Sequence, residues 1–247
     1  MLQKRVLPVL LINNRDLVKS INFKDYNYLG DPINAVKIFN EMMSDELFIY
    51  DITKTSSDKP NFDYLAEIVS EAFMPIGYGG GVRSLTQMEK LFRIGIEKVS
   101  LNSALKNSLS LLNEASKDFG TQSIVCTIDV QFINDTYYSV IDNEFTELET
   151  FLNKLNQVEV GEIILNCIHK DGLMSGYDIN LLRNVLNLTH VPITLCGGAG
   201  SLADIKEAAL NGAHGIAAGS LFVYWGDEKG ILINYPHHKI NQLFDQQ

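Results

Sequence analysis

Two glycine-rich turns, YGGGVRS at residues 78–84 and CGGAGS at residues 196–201, are where residue type and spacing first suggest chemistry. Lacking side chains, such turns let backbone N–H groups face a ligand, and the helix N-terminus that follows favours negative charge. One helix and one strand further on, each is answered by a strand end bearing a hydroxyl, LNSA around Ser103 and AGSL around Ser220. A lone Gly-Gly turn carries little weight, because tight strand-to-helix loops use glycine anyway. Two in register predict a pair of phosphate cradles and a ligand with a phosphate at each end. Between them lies Asp129, near the end of the run SIVCTIDV. A carboxylate there suits general acid or base work; the plain alternative is a strand-end residue that caps its loop. Arg5, Glu46, Lys98 and Glu162 stand at the opposite ends of strands and alternate in sign. Exposed ion pairs, which contribute little, are one reading of them. The other is a plug or gate on a barrel axis, since all four fall at strand starts.

The elements that must position these groups are short β-branched runs alternating with amphipathic stretches, the pattern of a parallel sheet with crossover helices. Strands are expected at 6–12, 46–52, 75–80, 98–102, 123–130, 162–168, 192–198 and 215–220. Asp31-Pro32 and Ser84 mark helix starts, the latter as a capping box with Gln87, while Gly95 and Gly212 mark helix ends. An internal repeat decides the architecture. Residues 80–105 align without a gap onto 197–222, so that Gly80, Gly81, Ser84, Leu85, Gly95 and Ser103 recur as Gly197, Gly198, Ser201, Leu202, Gly212 and Ser220. Nearly the same offset lays the first strand on the fifth. The prediction is an α/β fold: a single (β/α)8 TIM barrel over residues 1–247, built from two fused half-barrels, with a divergent tail from about residue 226. In that register Leu11 is the counterpart of Asp129. A two-fold site with a paired acid and base carries a carboxylate at both places, and here only one is present.

Composition narrows the class. A formal charge of −10 repels nucleic acid and anionic membrane, so a bound phosphate must be held by local geometry. No apolar run approaches the ~20 residues of a membrane helix, and no signal-peptide pattern opens the chain, which makes a cytoplasmic location the expectation. Cys126, Cys167 and Cys196 lie in apolar strand-like runs without metal spacing and are read as buried thiols. No metal and no cofactor is expected.

The opening MLQKRVLPV, then DELFIYDIT, GGGV, EKVSLN, TIDV, GEIILNCIHKDGLMSGYD, and CGGAG followed by AAGS together resemble the cyclase subunit (HisF) of imidazole glycerol phosphate synthase, in order, up to about residue 225. The resemblance implies a (β/α)8 barrel whose bottom docks a glutamine amidotransferase and whose axis receives ammonia. It implies a small bis-phosphorylated ligand, a ribulosyl-formimino aminoimidazole carboxamide ribonucleotide, cyclised to imidazole glycerol phosphate with release of the aminoimidazole ribotide. It implies that Asp129 is one of two catalytic carboxylates and that Arg5, Glu46, Lys98 and Glu162 form the ammonia gate. Phosphate contacts fall on Gly81, Ser103, Gly198, Gly219 and Ser220, and Lys19 in the first loop reaches over the substrate. Asp51, Asn102 and Asp171 match polar positions around the mouth, with loop capping as the alternative for each, Asp171 above all.

The departures are as informative. Leu11 stands where the family has its other catalytic aspartate, and a leucine neither donates nor accepts a proton. Losing one member of such a pair removes about 10² to 10⁴ of rate. Asn166 replaces the family's threonine on the sixth strand, His169 and Lys170 differ after it, and the tail WGDEKGILINYPHHK stands where the family ends in a basic helix. This combination is similar to the branch found with surface-polysaccharide genes, a likeness carried also by NYLGDPINAVKIFN and GILINYP. In that branch a cyclase-like barrel and its glutaminase are associated with an amidotransferase that converts an N-acetyl sugar to its acetamidino form. The expectation is therefore an ammonia conduit or assembly partner for a glutamine amidotransferase subunit, with a sugar amidotransferase as a further partner. The alternatives are a working cyclase of histidine biosynthesis, a non-catalytic scaffold that activates the glutaminase, and a generic phosphate-binding barrel isomerase.

Overall fold

The computed structural model describes residues 4–53, 59–226 and 228–244. The first three residues of the opening motif and Asp227 of the tail lie outside these. Eight strands run parallel: β1 (Arg5–Asn13), β2 (Leu47–Asp51), β3 (Ile76–Gly79), β4 (Lys98–Leu101), β5 (Ile124–Ile133), β6 (Glu162–Cys167), β7 (Ile193–Cys196) and β8 (Gly215–Ala218). Each pairs with its sequence neighbours, and β8 returns to β1 through Arg5↔Gly215, so the sheet closes into a (β/α)8 barrel. Helices α1 (Pro32–Glu41), α2 (Phe62–Ser70), α3 (Leu85–Arg93), α4 (Ser110–Phe119), α5 (Leu148–Leu155), α6 (Ile179–Leu186), α7 (Leu202–Leu210) and α8 (His237–Phe244) accompany the strands. Among the described residues no helix is long and apolar enough to cross a membrane.

The helix ends follow their signals. Asp31 accepts the N–H of Ile33 with Pro32 opening α1, and Gly95 and Gly212 take φ of +102° and +98° just past α3 and α7. Ser84 does accept the N–H of Gln87, but the Gln87 side chain accepts from Arg83 rather than from Ser84, so the expected capping box is only half formed. Its repeat partner forms fully, between Ser201 and Asp204. The tail supplies α8, after one short helical turn at Ser220–Val223. Tyr235 is buried, its hydroxyl donating to the Val6 carbonyl at 3.1 Å, which ties the segment before α8 to the start of β1.

Alternation along the strands explains how one barrel offers two chemical ends. On β1, residues 5, 7, 9 and 11 share one face, and on β6 so do 162, 164 and 166. The interior therefore reads upward in layers: Arg5, Glu46, Lys98 and Glu162, then an apolar plug of Leu7, Val9, Phe48, Val125, Ile164, Cys196 and Ala217. Above it Tyr50, Ser100 and Thr127 are joined by hydroxyl hydrogen bonds of 2.6 Å. Residues 6, 10 and 12 of β1 face the helices in the larger core.

Phe48 fits only because β3 supplies Gly77 opposite it: a Cβ there would lie 2.2 Å from the Phe48 ring. Gly77→Ala is accordingly expected to lower stability by about 1–3 kcal/mol through overpacking, and Phe48→Leu in the same chain to restore part of it. Denaturant midpoints of the single and double variants check this; an unchanged midpoint for Gly77→Ala defeats it.

Two hairpins, absent from the sequence reading, leave the barrel at matching places in its halves. Asp16–Ile21 pairs with Lys24–Gly30 after β1, and Thr136–Ile141 pairs with Glu144–Glu147 after β5.

Candidate functional site

At the bottom of the barrel the four strand-start charges form a closed ring. Arg5 reaches Glu46 at 2.5 Å and Glu162 at 3.0 Å, while Lys98 reaches the same two carboxylates at 2.8 and 2.9 Å. Each cation thus bridges both anions. Glu46 and Glu162 are each only 4% exposed, so the reading of exposed ion pairs does not hold. The Thr194 hydroxyl, which the sequence reading passed over, also donates to Glu162. Burial opposes ionisation of Glu162, but Lys98 and Arg5 outweigh it and hold the carboxyl below the usual range.

At the mouth, Asp129 is held by two amides. Asn166 donates to one carboxylate oxygen and Asn102 to the other, both at 2.8 Å. The register that pairs Asn166 with Asp129 on neighbouring strands makes this contact possible. Asn166 had been noted only as a departure; its even-numbered place on β6, in line with Glu162, is the signal that puts it in the mouth. Asn102 serves Asp129 as a positioning group. Burial pushes the Asp129 carboxyl up to about 6, against the two amide donors and with the charge of Asp171 adding to the rise. Leu11 lies opposite on β1, partly exposed and level with Tyr50 of β2.

A raised carboxyl favours the folded state when protonated. Its contribution is complete below its unfolded value of about 3.9 and is lost as pH rises through about 6. Relative to Asp129→Asn, the native chain is expected to lose about 2 kcal/mol of stability between about pH 4 and about pH 7. Urea midpoints of both chains across that range test it, and parallel curves count against it.

Lys19 and Asp171 are brought together, though not as expected. The Lys19 ammonium lies 3.0 Å from Asp171, whose other oxygen accepts the Ser20 hydroxyl at 2.9 Å, and all three residues are buried. Backbone joins in, Asn22 N–H donating to the Asp171 carbonyl at 3.1 Å. Asp171 therefore does not cap its own loop. It clasps the first hairpin onto the loop after β6, and Lys19 points into this clasp beside Gly219.

The two cradles differ in access. Gly80, Gly81, Ser103 and Asp51 line an open cleft of about 390 Å³, together with Arg15, Lys59 and Arg83. Gly80 and Gly81 take φ of +140° and +62°, turning the backbone at the cleft floor. Asp51 also caps its loop, accepting the Thr53 N–H at 2.9 Å. These cations answer the acidity of the whole chain locally; of the three only Arg83 stands in a motif, YGGGVRS. In the second half Gly198 is packed against the Gly176 carbonyl, where a Cβ would come within 2.3 Å. Gly219 abuts Lys19, and the Ser220 hydroxyl is buried with no hydrogen-bond partner. A buried orphan hydroxyl costs free energy unless something meets it.

With the ring, the lone carboxylate and the paired cradles in place, comparison with known proteins is direct. Residues 5–227 match the family described as "Histidine biosynthesis protein". Over 98% of this chain and 99% of the relative, the protein is 43% identical to a Pseudomonas aeruginosa protein named "Putative imidazole glycerol phosphate synthase subunit hisF2". Leptospira borgpetersenii and Vibrio vulnificus proteins with the same form of name, subunit HisF and subunit hisF3, are 40% and 41% identical, covering 96% of this chain each and 96% and 94% of the relatives. The chain belongs to the histidine biosynthesis protein family and is, within it, HisF-like.

Proposed function

We propose that the chain is the ammonia-receiving barrel of a glutamine amidotransferase complex, serving acetamidino modification of a surface-polysaccharide sugar. The observation that carries the reading is the closed ring on the axis, in which partly buried Arg5 and Lys98 bridge buried Glu46 and Glu162. Burying two carboxylates is costly even with two cations beside them, and in an ordinary barrel that end is filled by apolar side chains. Beside the ring, Phe73 and Met43 stand 92% and 55% exposed on the loops after α2 and α1, which Asn40 ties together by bonding Glu71 and Phe73. Exposed apolar residues around a polar ring suit a docked partner. Above the ring the axis is occupied by Phe48 stacked on Tyr50, so transfer is gated: the ring and this pair must move for ammonia to pass. At the mouth the cradles hold a phosphorylated ligand, while Leu11 leaves Asp129 without a second carboxylate.

A histidine-pathway cyclase is the second reading, and one feature favours it: a carboxyl at about 6 is tuned for proton transfer near neutrality. The test incubates the purified chain with the bis-phosphorylated ribonucleotide and ammonium salt, and separately with a glutamine amidotransferase subunit. The expected result is no cyclisation, a stable complex, and faster glutamine hydrolysis by the partner. Robust turnover by the native chain installs the cyclase reading. A complex that forms and activates the partner yet passes no ammonia to any acceptor installs the scaffold.

A further inference from the structure

On the outer side of β6, at its C-terminal end, three side chains that the function does not use converge. Cys167 alternates with Asn166 and so faces the helix layer, His169 follows on the next turn, and Asp178 begins α6. His169 Nε2 is 3.4 Å from the Cys167 sulfur and 3.2 Å from Asp178 Oδ2. All three donor atoms lie within 4.8 Å of one another.

We propose that Cys167, His169 and Asp178 form a binding site for a borderline-soft divalent cation, zinc above all. The distances carry it. A tetrahedral zinc with bonds of about 2.3 Å to sulfur and about 2.0 Å to nitrogen and oxygen sets its ligands about 3.5 Å (S···N) and about 3.3 Å (N···O) apart, close to the two edges that meet at His169, while the S···O edge lies within 4.8 Å. The thiolate selects zinc-like ions over magnesium or calcium, and thiolate plus carboxylate neutralise the double charge while the imidazole stays neutral.

The surroundings are those of a prepared ligand set. Asp178 spends Oδ1 on the N–H of Leu181 and is held by the Tyr137 hydroxyl at 3.0 and 3.1 Å, which fixes Oδ2 toward His169. Outer partners of this kind orient metal ligands. Phe132 packs on both His169 and Tyr137, making an apolar wall. Cys167 is fully buried, while His169 and Asp178 side chains are 22% and 12% exposed, so an ion enters from their side and a water takes the fourth position. The sulfur is also 3.5 Å from Nδ1, so the ring must rotate about its χ angles to aim Nε2 at the common centre. Bound there, the ion would join the loop after β6, the start of α6 and, through Tyr137, the second hairpin.

The test is cobalt(II) titration of the full chain after chelator treatment, read by absorption. One equivalent is expected to bind with a near-ultraviolet thiolate-to-cobalt band. Cys167→Ser should abolish that band, and His169→Ala should weaken binding by more than about tenfold, a loss that even an outer partner can cause. His237→Ala with His238→Ala, in the tail, should change neither. Zinc at about a hundredfold excess over its Kd should raise the melting temperature by about 5–10 °C in the native chain and not in His169→Ala, which guards against a variant that merely misfolds. No retained ion, a band that survives in Cys167→Ser, or binding lost only in the tail variant overturns the assignment.

Discussion

Leu11→Asp is expected to raise turnover of the bis-phosphorylated ribonucleotide with ammonium salt by about 10²- to 10⁴-fold over the native chain, the range a positioned proton-transfer group contributes. Leu11 stands at the end of β1 with its side chain toward the mouth, across from Asp129, and it is partly exposed, so a carboxylate placed there meets water as well as ligand. The two carboxylates would also differ. Asp129 has two amide donors and a carboxyl raised to about 6, whereas an aspartate at position 11 would face Tyr50 and the first hairpin without such donors. Environments that separate two carboxyl groups are how an acid and a base are told apart. Leu11→Asn is the control, since it is polar and cannot shuttle a proton. Equal rates for the aspartate and asparagine variants, with both folded by circular dichroism, would sink the idea that a missing proton carrier is what stops the cyclisation.

The second large effect is at the other end of the axis. Lys98→Met removes one of two cations that each bridge Glu46 and Glu162, leaving Arg5 as the one cation of the ring for both buried carboxylates. Breaking a buried pair on one side costs about 3 kcal/mol, and Lys98→Met with Glu162→Gln should recover part of that because the uncompensated charge is gone. Acid sensitivity follows from the sign of the shift. Glu162 is held below its ordinary range, so its contribution is present above that range and is lost as pH falls through the folded-state value. Removing Lys98 should shrink this acid-dependent loss. In the partner complex, the double variant should keep docking and glutamine hydrolysis while ammonia transfer from glutamine fails and transfer from added ammonium salt survives. Unchanged coupling in the double variant means that the ring is a structural device and that ammonia takes another way.

The barrel was legible in the chain because its pattern is local and repeated. Eight β-branched runs and caps at Asp31 and Ser84 each depend on neighbours a few residues apart, and the match of Gly80–Gly81 to Gly197–Gly198 shows the pattern twice. The charge ring was legible for a related reason: once strand starts are known, strand starts are neighbours. Contacts between loops were not. Lys19 and Asp171 are 152 residues apart, and nothing local to either says that a hairpin will fold back and bury the pair. Both hairpins were missed because their turns, at Asn22-Phe23 and Asp142-Asn143, contain no glycine, and left-handed backbone there is taken by Asn, Phe and Asp instead.

The residues by themselves determined the closed eight-stranded architecture, the position of Asp129 at a strand end, the lone status of that carboxylate beside Leu11, and the gathering of four charges at the opposite end. Period-two alternation and a half-chain repeat are enough for those. Only the tertiary structure decided that Asn102 and Asn166 hold Asp129, that Lys19 is clasped to Asp171, that one cradle is open while the other is roofed, and that Cys167, His169 and Asp178 meet. Those facts depend on which loop lies against which and on how deeply each group is buried, and the free energy of a polar group follows from that burial and its partners rather than from its place in the chain.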